Sequence, residues 1–410
     1  MFKSKKLLAL ILVIAMSLTL FTACGEKTEA QDQPAPSEEN TENVANNENN
    51  EENFDGQLVF DHSMELVYAK NFKVDYYKGG YKKLTILNDS EGEKNYHQEI
   101  LVIPEGMSKP EEIAEDTIVL QAPVSNMLIS STPTMSLLNH INKLDRVSLV
   151  TTAADKWYLD NIKEKVENGD IKYIGKYKEP DYEIITSQAP QLAVFSTMLL
   201  HVPEVGEKLH EVDVNYVLDQ ASYESHPMAR TEWMKFYGAL FDCEDEVNEA
   251  FNLQDAYLKS FELDTDNDET TAIFYITSKG TLYARKGGDY MAQMLNLAGG
   301  TYLFKDLEPE STGSQKMTIE EFYAQAQDVD NIIYVWSLGG KPETLDDFIA
   351  KNELFEDFKA VKNGNVFCFT KDFFQASDNM GRMIKDINAV LKSDENTDFS
   401  DIKYLFRLTN

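Results

Sequence analysis

Glu244-Asp245-Glu246-Val247-Asn248-Glu249-Ala250-Phe251-Asn252-Leu253-Gln254-Asp255-Ala256-Tyr257-Leu258-Lys259-Ser260-Phe261-Glu262 organises the rest of the chain. Val247, Ala250, Phe251, Gln254, Tyr257, Leu258 and Phe261 recur near the 3.6-residue period, which predicts one long helix with a core-facing stripe. Glu244, Asp245 and Glu246 fall in its first turn, where the helix dipole favours negative charge. The run Asp264 to Glu269 breaks it. On both sides of this helix, short apolar strands alternate with helices. Before it, strands are expected at Thr117–Leu120, Arg146–Val150, Ile171–Gly175, Leu192–Phe195 and Val214–Val217. Helices are expected at Thr134–Ile141 (Ser131 or Thr132 as N-cap, Pro133 in the first turn), Tyr158–Val166 and from Asp181, with a further helix over Ala229–Phe241. After it come strands at Thr271–Ile276, Asn331–Val335 and Asn365–Phe369. Helices there are expected at Tyr290–Leu297, Thr318–Gln325, Leu345–Ile349, Phe355–Phe358 and Met380–Leu391. The pattern predicts an α/β protein of two lobes with mostly parallel sheets, joined by one long helix. Ahead of the alternation, Phe72–Tyr76 and Tyr81–Leu87 flank Gly79-Gly80 and read as a hairpin, followed by a strand over Glu99–Pro104.

The expected boundaries are 55–242 for the first lobe, 243–264 for the inter-lobe helix and 265–410 for the second lobe. The start of the chain is a different kind of sequence. Lys3, Lys5 and Lys6 precede an apolar run from Leu7 to Phe21 that is shorter than the ~20 residues of a spanning helix. This reads as a secretory signal, residues 1–23. Phe21-Thr22-Ala23-Cys24-Gly25 resembles a bacterial lipobox, which implies a lipidated N-terminus at Cys24. Residues 24–54 are polar and acidic with almost nothing apolar, the composition of a disordered tether. The whole chain of 410 residues carries 38 basic against 70 acidic residues, a formal charge of −32. Such a surface repels phosphate backbones and argues against nucleic-acid binding.

No signature of bond-breaking chemistry occurs: no G-x-S-x-G elbow, Walker loop or G-x-G-x-x-G fingerprint. A calcium loop begun at Asp264 would need Gly and Glu at its sixth and twelfth positions, which are Glu269 and Tyr275, so the segment reads as a solvated loop. The six His are scattered without zinc-site spacing. Beyond Cys24, Cys243 and Cys368 form no disulfide framework and read as buried thiols. The densest polar segment runs from Ser222 to Trp233. Tyr223, His226 and Arg230 there either line a cleft or belong to a helix start whose Arg230 and Glu232 pair at the surface.

Several stretches carry a family resemblance. They are Ala122-Pro123 through Ser130-Ser131-Thr132, then Leu144-Asp145-Arg146-Val147; Gln188-Ala189-Pro190-Gln191-Leu192-Ala193-Val194; His226-Pro227-Met228-Ala229-Arg230-Thr231-Glu232-Trp233-Met234-Lys235-Phe236; Ala298-Gly299-Gly300-Thr301-Tyr302; and Ala360 to Val366. Over about residues 58–395 the chain resembles the substrate-binding proteins of ABC importers, in the class with a single inter-lobe helix that handles ferric siderophores, haem and cobalamin. Thr134-Met135 departs from the Thr-Glu of many members. The resemblance implies a monomeric clamshell on the outer face of the cell membrane. It would catalyse no reaction, hold no cofactor, and pass a ferric siderophore or related iron complex to a permease; cobalamin or haem is the alternative cargo. A surface hydrolase or adhesion protein is the alternative from another class. An anionic ligand favours Arg, so Arg230 and Arg285 are the candidates, one per lobe. Trp157, Tyr223, Tyr283 and Trp336 are candidate aromatic contacts, each equally able to pack in a core, and His226 completes the set. Glu204 and Glu320 correspond to the family's permease-docking carboxylates or are solvated charges.

Overall fold

The computed structural model describes residues 56–88, 96–261, 263, 268–336, 340–394 and 396–410. The signal, Cys24 and the tether lie outside the described residues, as does part of the Asp264–Glu269 segment.

The described chain opens with an antiparallel ladder. β1 (Phe60–Ser63), β2 (Phe72–Tyr77), β3 (Lys82–Asn88), β4 (Tyr96–Ile103) and β5 (Ile118–Gln121) lie side by side in chain order, with only β4 and β5 parallel. The hairpin is present, with a tight turn at Lys78–Gly80 where Gly79 and Gly80 take positive φ. Alternation along the strands puts Val74, Leu84, Ile86, Ile100 and Val102 into the main core, while Tyr81, Leu101 and Ile103 form a separate cluster.

The parallel alternation follows. It comprises β6 (Met127–Ile129), α1 (Thr132–His140), β7 (Val147–Val150), α2 (Asp160–Glu167), β8 (Lys172–Tyr173), the two-residue ladder β9 (Gly175–Lys176) and β10 (Glu179–Pro180), α3 (Tyr182–Gln188), β11 (Leu192–Ser196), α4 (Pro203–Glu211) and β12 (Tyr216–Asp219). The sheet order is β12-β11-β6-β7-β8, all parallel. It is buried on both faces. Leu128, Leu149, Phe195 and Leu218 face one cluster with Ile185 and Leu209 of α3 and α4; Met127, Ile129, Val150 and Val194 face the main core. α1 starts where the Ser131 hydroxyl accepts the Thr134 N–H, with Pro133 in the first turn.

The helix expected over Ala229–Phe241 is two helices, α5 (Pro227–Glu232) and α6 (Met234–Leu240), which meet at the fully buried Trp233. α7 (Glu244–Lys259) is the long helix, about 24 Å of it. Its stripe behaves as the periodicity predicts: Val247, Phe251 and Leu258 are buried and Ala250, Gln254, Tyr257 and Phe261 half-buried. It packs on α6 from one side.

The second lobe comprises β13 (Thr270–Ile276), β14 (Leu282–Arg285), α8 (Tyr290–Leu297), β15 (Thr301–Tyr302), β16 (Ser314–Met317), α9 (Ile319–Ala326), β17 (Asn331–Tyr334), α10 (Leu345–Ile349), α11 (Lys359–Lys362), β18 (Val366–Phe369), α12 (Met380–Leu391) and β19 (Leu405–Arg407). α12 packs on α7 and α8. The sheet order is β16-β14-β13-β17-β18-β19 with β15 beside β13. β13, β17 and β18 form the parallel centre, and β14, β16 and β19 are antiparallel additions. Cys243 and Cys368 are buried free thiols; burial pushes both thiols up in pKa.

Candidate functional site

The two lobes meet along a seam. On the first lobe, α1 packs against two 3-10 turns of the second lobe, Phe373–Gln375 and Ser377–Asn379. Polar contacts stitch this seam. Gln375 accepts from the Tyr158 N–H at 3.0 Å and donates to the Lys156 carbonyl at 2.8 Å. The Thr231 hydroxyl donates to the Ser377 carbonyl at 2.7 Å, and His140 Nδ1 lies 3.2 Å from Asp378.

Arg230 sits on α5 at this seam, 6% exposed. Its guanidinium carbon lies 4.0 Å from the centre of the Tyr290 ring, at the start of α8 in the second lobe. One Nη donates to the Ser222 carbonyl at 3.3 Å. Arg285, at the end of β14, is 3.7 Å from Asp289, the N-cap of α8, and 5.4 Å from the centre of the Tyr275 ring. Burial pushes the Tyr290 phenol above its ordinary pKa, and Arg230 and then Arg285 pull against that shift. An arginine from each lobe therefore stands near the start of α8, Arg230 over the Tyr290 ring and Arg285 beside Asp289. The Nε of each is buried with no hydrogen-bond partner among the described residues, and a buried donor left unmade costs about 1–3 kcal/mol. The strip continues past Arg285. Tyr283 shares its strand face and stacks on Tyr275, ring centres 5.1 Å apart and 8° from parallel. A groove of about 660 Å³ lined by Leu303, Phe304, Leu307, Gln315 and Met317 lies in the same lobe. Its lining follows the edge strand β16, with Lys316, the partner of Tyr283, beside Gln315 and Met317, and none of the seam residues named above belongs to it.

The other expected contacts fare differently. Trp157 is 4% exposed and packs in the main core, its Nε1 donating to the Thr152 carbonyl at 3.1 Å. The ring that reaches solvent there is its neighbour Tyr158, 43% exposed. Trp336 is half-buried at the end of β17 and donates to the Phe369 carbonyl at 2.6 Å, which ties it to the end of β18. Tyr223 is half-buried in the turn before α5. Glu204 and Glu320 are both exposed in the first turn of a helix, α4 and α9. A surface pair of Arg230 and Glu232 does not form. Both are buried, and Glu232 pairs instead with Lys235 at 2.8 Å.

His226 is held by contacts within the first lobe. Its Nδ1 caps α5, accepting the Met228 N–H at 3.2 Å, and its ring stacks on Tyr68 at 4.2 Å. Only the neutral ring can accept that bond, and burial lowers its pKa below the ordinary 6.5. The unfolded chain then binds more protons in the window below pH 6.5, so this contribution is full above 6.5 and is lost as pH falls through the depressed folded value. Denaturant unfolding from pH 7.5 to 5 should show that loss, and His226→Asn, which keeps a capping side chain, should flatten it. An equal slope in both proteins would show that His226 does not carry the dependence.

Sequence reasoning missed several residues of this region. Tyr290 and Tyr275 look like ordinary core aromatics in sequence. The hydroxyls that gather at the carboxyl ends of the first-lobe strands were also missed, although that position is a general signal in α/β folds. Strand order reverses between β6 and β11, and Ser130 and Ser131 follow β6 there. Ser130 and Thr151 hydroxyls lie 2.7 Å apart, and the buried Asp219 accepts from Ser131, Thr134 and the Ala221 N–H.

Two α/β lobes joined by one long helix form the fold of the periplasmic binding proteins with a single inter-lobe helix. Comparison agrees. A family model described as periplasmic binding protein matches residues 145–372, over half of the chain. The chain belongs to that periplasmic binding protein family. It is 26% identical over 381 residues to an uncharacterised lipoprotein of Methanocaldococcus jannaschii, covering 90% of this chain and 89% of that one. An ABC transporter substrate-binding protein from Listeria monocytogenes superposes with a TM-score of 0.51 at 17% identity, covering 65% of this chain and 99% of that one. A protein of an ABC-type Fe3+-hydroxamate transport system from Saccharomonospora viridis gives 0.51 at 17%, with 66% and 94% covered. The family match begins beyond the antiparallel sheet β1–β5.

Proposed function

We propose that the protein is the lipid-anchored extracellular receptor of an ABC importer and that its cargo is an anionic iron(III) chelate. The observation that carries this reading is a buried guanidinium from each lobe, Arg230 over the Tyr290 ring and Arg285 beside Asp289 at the start of the same helix, each with an Nε that has no partner among the described residues. An arginine fork suits carboxylate, catecholate and phosphate oxygens, and the Tyr275–Tyr283 stack beside it offers a flat apolar face. The iron(III) transport system of the Saccharomonospora relative and the lipoprotein name of the Methanocaldococcus relative support the reading. In it, Cys24 carries the lipid, residues 24–54 span from the membrane to the folded part, and residues 55–242, 243–264 and 265–410 act as lobe, connecting helix and lobe. Exposed Glu204 and Glu320 meet the permease, one per lobe. The chain acts by binding and release and catalyses nothing.

The test is fluorescence of the three tryptophans together with thermal shift, on titration with ferric catecholate, ferric hydroxamate, haem and cobalamin. Quenching and a raised melting temperature are expected with an anionic ferric chelate. Tighter binding of cobalamin or haem would reassign the cargo, and no response to any of the four would overturn the transport reading.

A further inference from the structure

The segment between β1 and β2 attaches the antiparallel sheet to α5 and the turn before it. Five successive backbone N–H groups, Val67 to Asn71, donate to two buried carboxylates. Glu232 receives Val67 at 2.8 Å, Tyr68 at 2.7 Å and Ala69 at 2.8 Å. Glu224 receives Lys70 at 3.1 Å and Asn71 at 2.9 Å. The Asn71 side chain reaches the Gln220 carbonyl at 3.3 Å. The Tyr68 ring stacks on His226, and its hydroxyl donates to Asp255 on α7 at 2.7 Å. These attachments bracket α5, which carries Arg230 midway. A six-residue helix cannot hold itself in place, because so short a segment does not offset the cost of nucleation. What fixes α5 is outside it.

We infer that the strap Val67–Asn71 is the positioning element for Arg230, and that Tyr68 and Glu224 are positioning residues. The antiparallel sheet is thus part of the ligand site without touching ligand. The strap holds the stretch before α5 at Glu224 and His226 and its end at Glu232, so the guanidinium meets Tyr290 in one place. Its connection to Asp255 ties that placement to the long helix. Preorganisation of this kind raises affinity by reducing the ordering needed on binding.

Hydrogen exchange on the ligand-free full chain tests the inference, in the wild type, Tyr68→Ala, Arg230→Ala and the double variant. Tyr68→Ala should speed exchange in 222–232 and also in 286–297, which carries Tyr290; the second effect should vanish when Arg230 is already Ala. Faster exchange confined to 64–72, or an effect on 286–297 that survives in the Arg230→Ala background, would overturn it. Tyr68→Leu, which keeps apolar bulk, serves if Tyr68→Ala does not fold. A binding arm rests on the reading of Arg230 as a ligand contact. For the ferric chelate that quenches fluorescence, Tyr68→Ala should weaken binding about tenfold in the wild type and not further in Arg230→Ala. If no chelate binds, the proposed cargo fails while the exchange result still decides the role of the strap.

Discussion

Glu232→Ala should lower the stability of the protein by about 3–5 kcal/mol, the cost of breaking a buried ion pair from one side. Glu232 is fully buried. Its two oxygens take three backbone N–H groups and the Lys235 ammonium at 2.8 Å. Removing the carboxylate strands all four donors. Lys235 would keep only the Glu65 carbonyl at 3.3 Å and the Phe251 ring at 4.5 Å, too little to compensate a buried charge. Urea unfolding followed by far-UV circular dichroism measures this. A loss under about 1 kcal/mol would mean that the strap detaches and hydrates at little cost, which contradicts its role in holding α5.

Arg230→Ala should weaken binding of the ferric chelate by roughly 10- to 100-fold, the range for losing a charge-assisted contact of about 1.5–3 kcal/mol. It should also lower stability by about 1–2 kcal/mol, because the guanidinium is buried against Tyr290 rather than waiting in solvent. Arg230→Lys separates the two effects: charge over the ring is retained while the planar fork is lost, so stability should recover more than affinity. Fluorescence titration and urea unfolding on the same samples read both. Reduced stability with unchanged affinity would make Arg230 a structural residue only.

Where a helix has a full apolar stripe, the sequence was readable. The stripe of α7 and the bounds of α8 (Tyr290–Leu297) and α12 (Met380–Leu391) follow from side-chain period alone. The start of α1 follows from Pro133 with Ser131 or Thr132 as its cap, and the structure selects Ser131. β6 does not, though it lies at the middle of its sheet: three residues, Met127–Ile129, are too few to show a period. α4 was also missed, and the antiparallel β14, β16 and β19 are short pieces whose strand character comes from their neighbours.

The candidate site divides along the same line. The segment from Ser222 to Trp233 stands out by composition, and Arg230 and Arg285 are candidates only through the anionic cargo that the family resemblance implies. The partners of those residues do not follow. Glu232 reads as a surface charge because its donors are backbone groups over 160 residues earlier, and a backbone N–H leaves no mark in sequence. Trp157 and Tyr158 are adjacent and chemically alike as candidates; burial alone distinguishes them. Sequence by itself determined the alternation of strands and helices, the long connecting helix and the absence of catalytic motifs, because each depends on spacing along the chain. Only the tertiary structure decided which charges are buried, that Arg230 lies over Tyr290 while Arg285 stands beside Asp289 at the start of the same helix, and that a strap of five N–H groups is held by carboxylates on either side of Arg230, because those depend on distances between segments that no local pattern records.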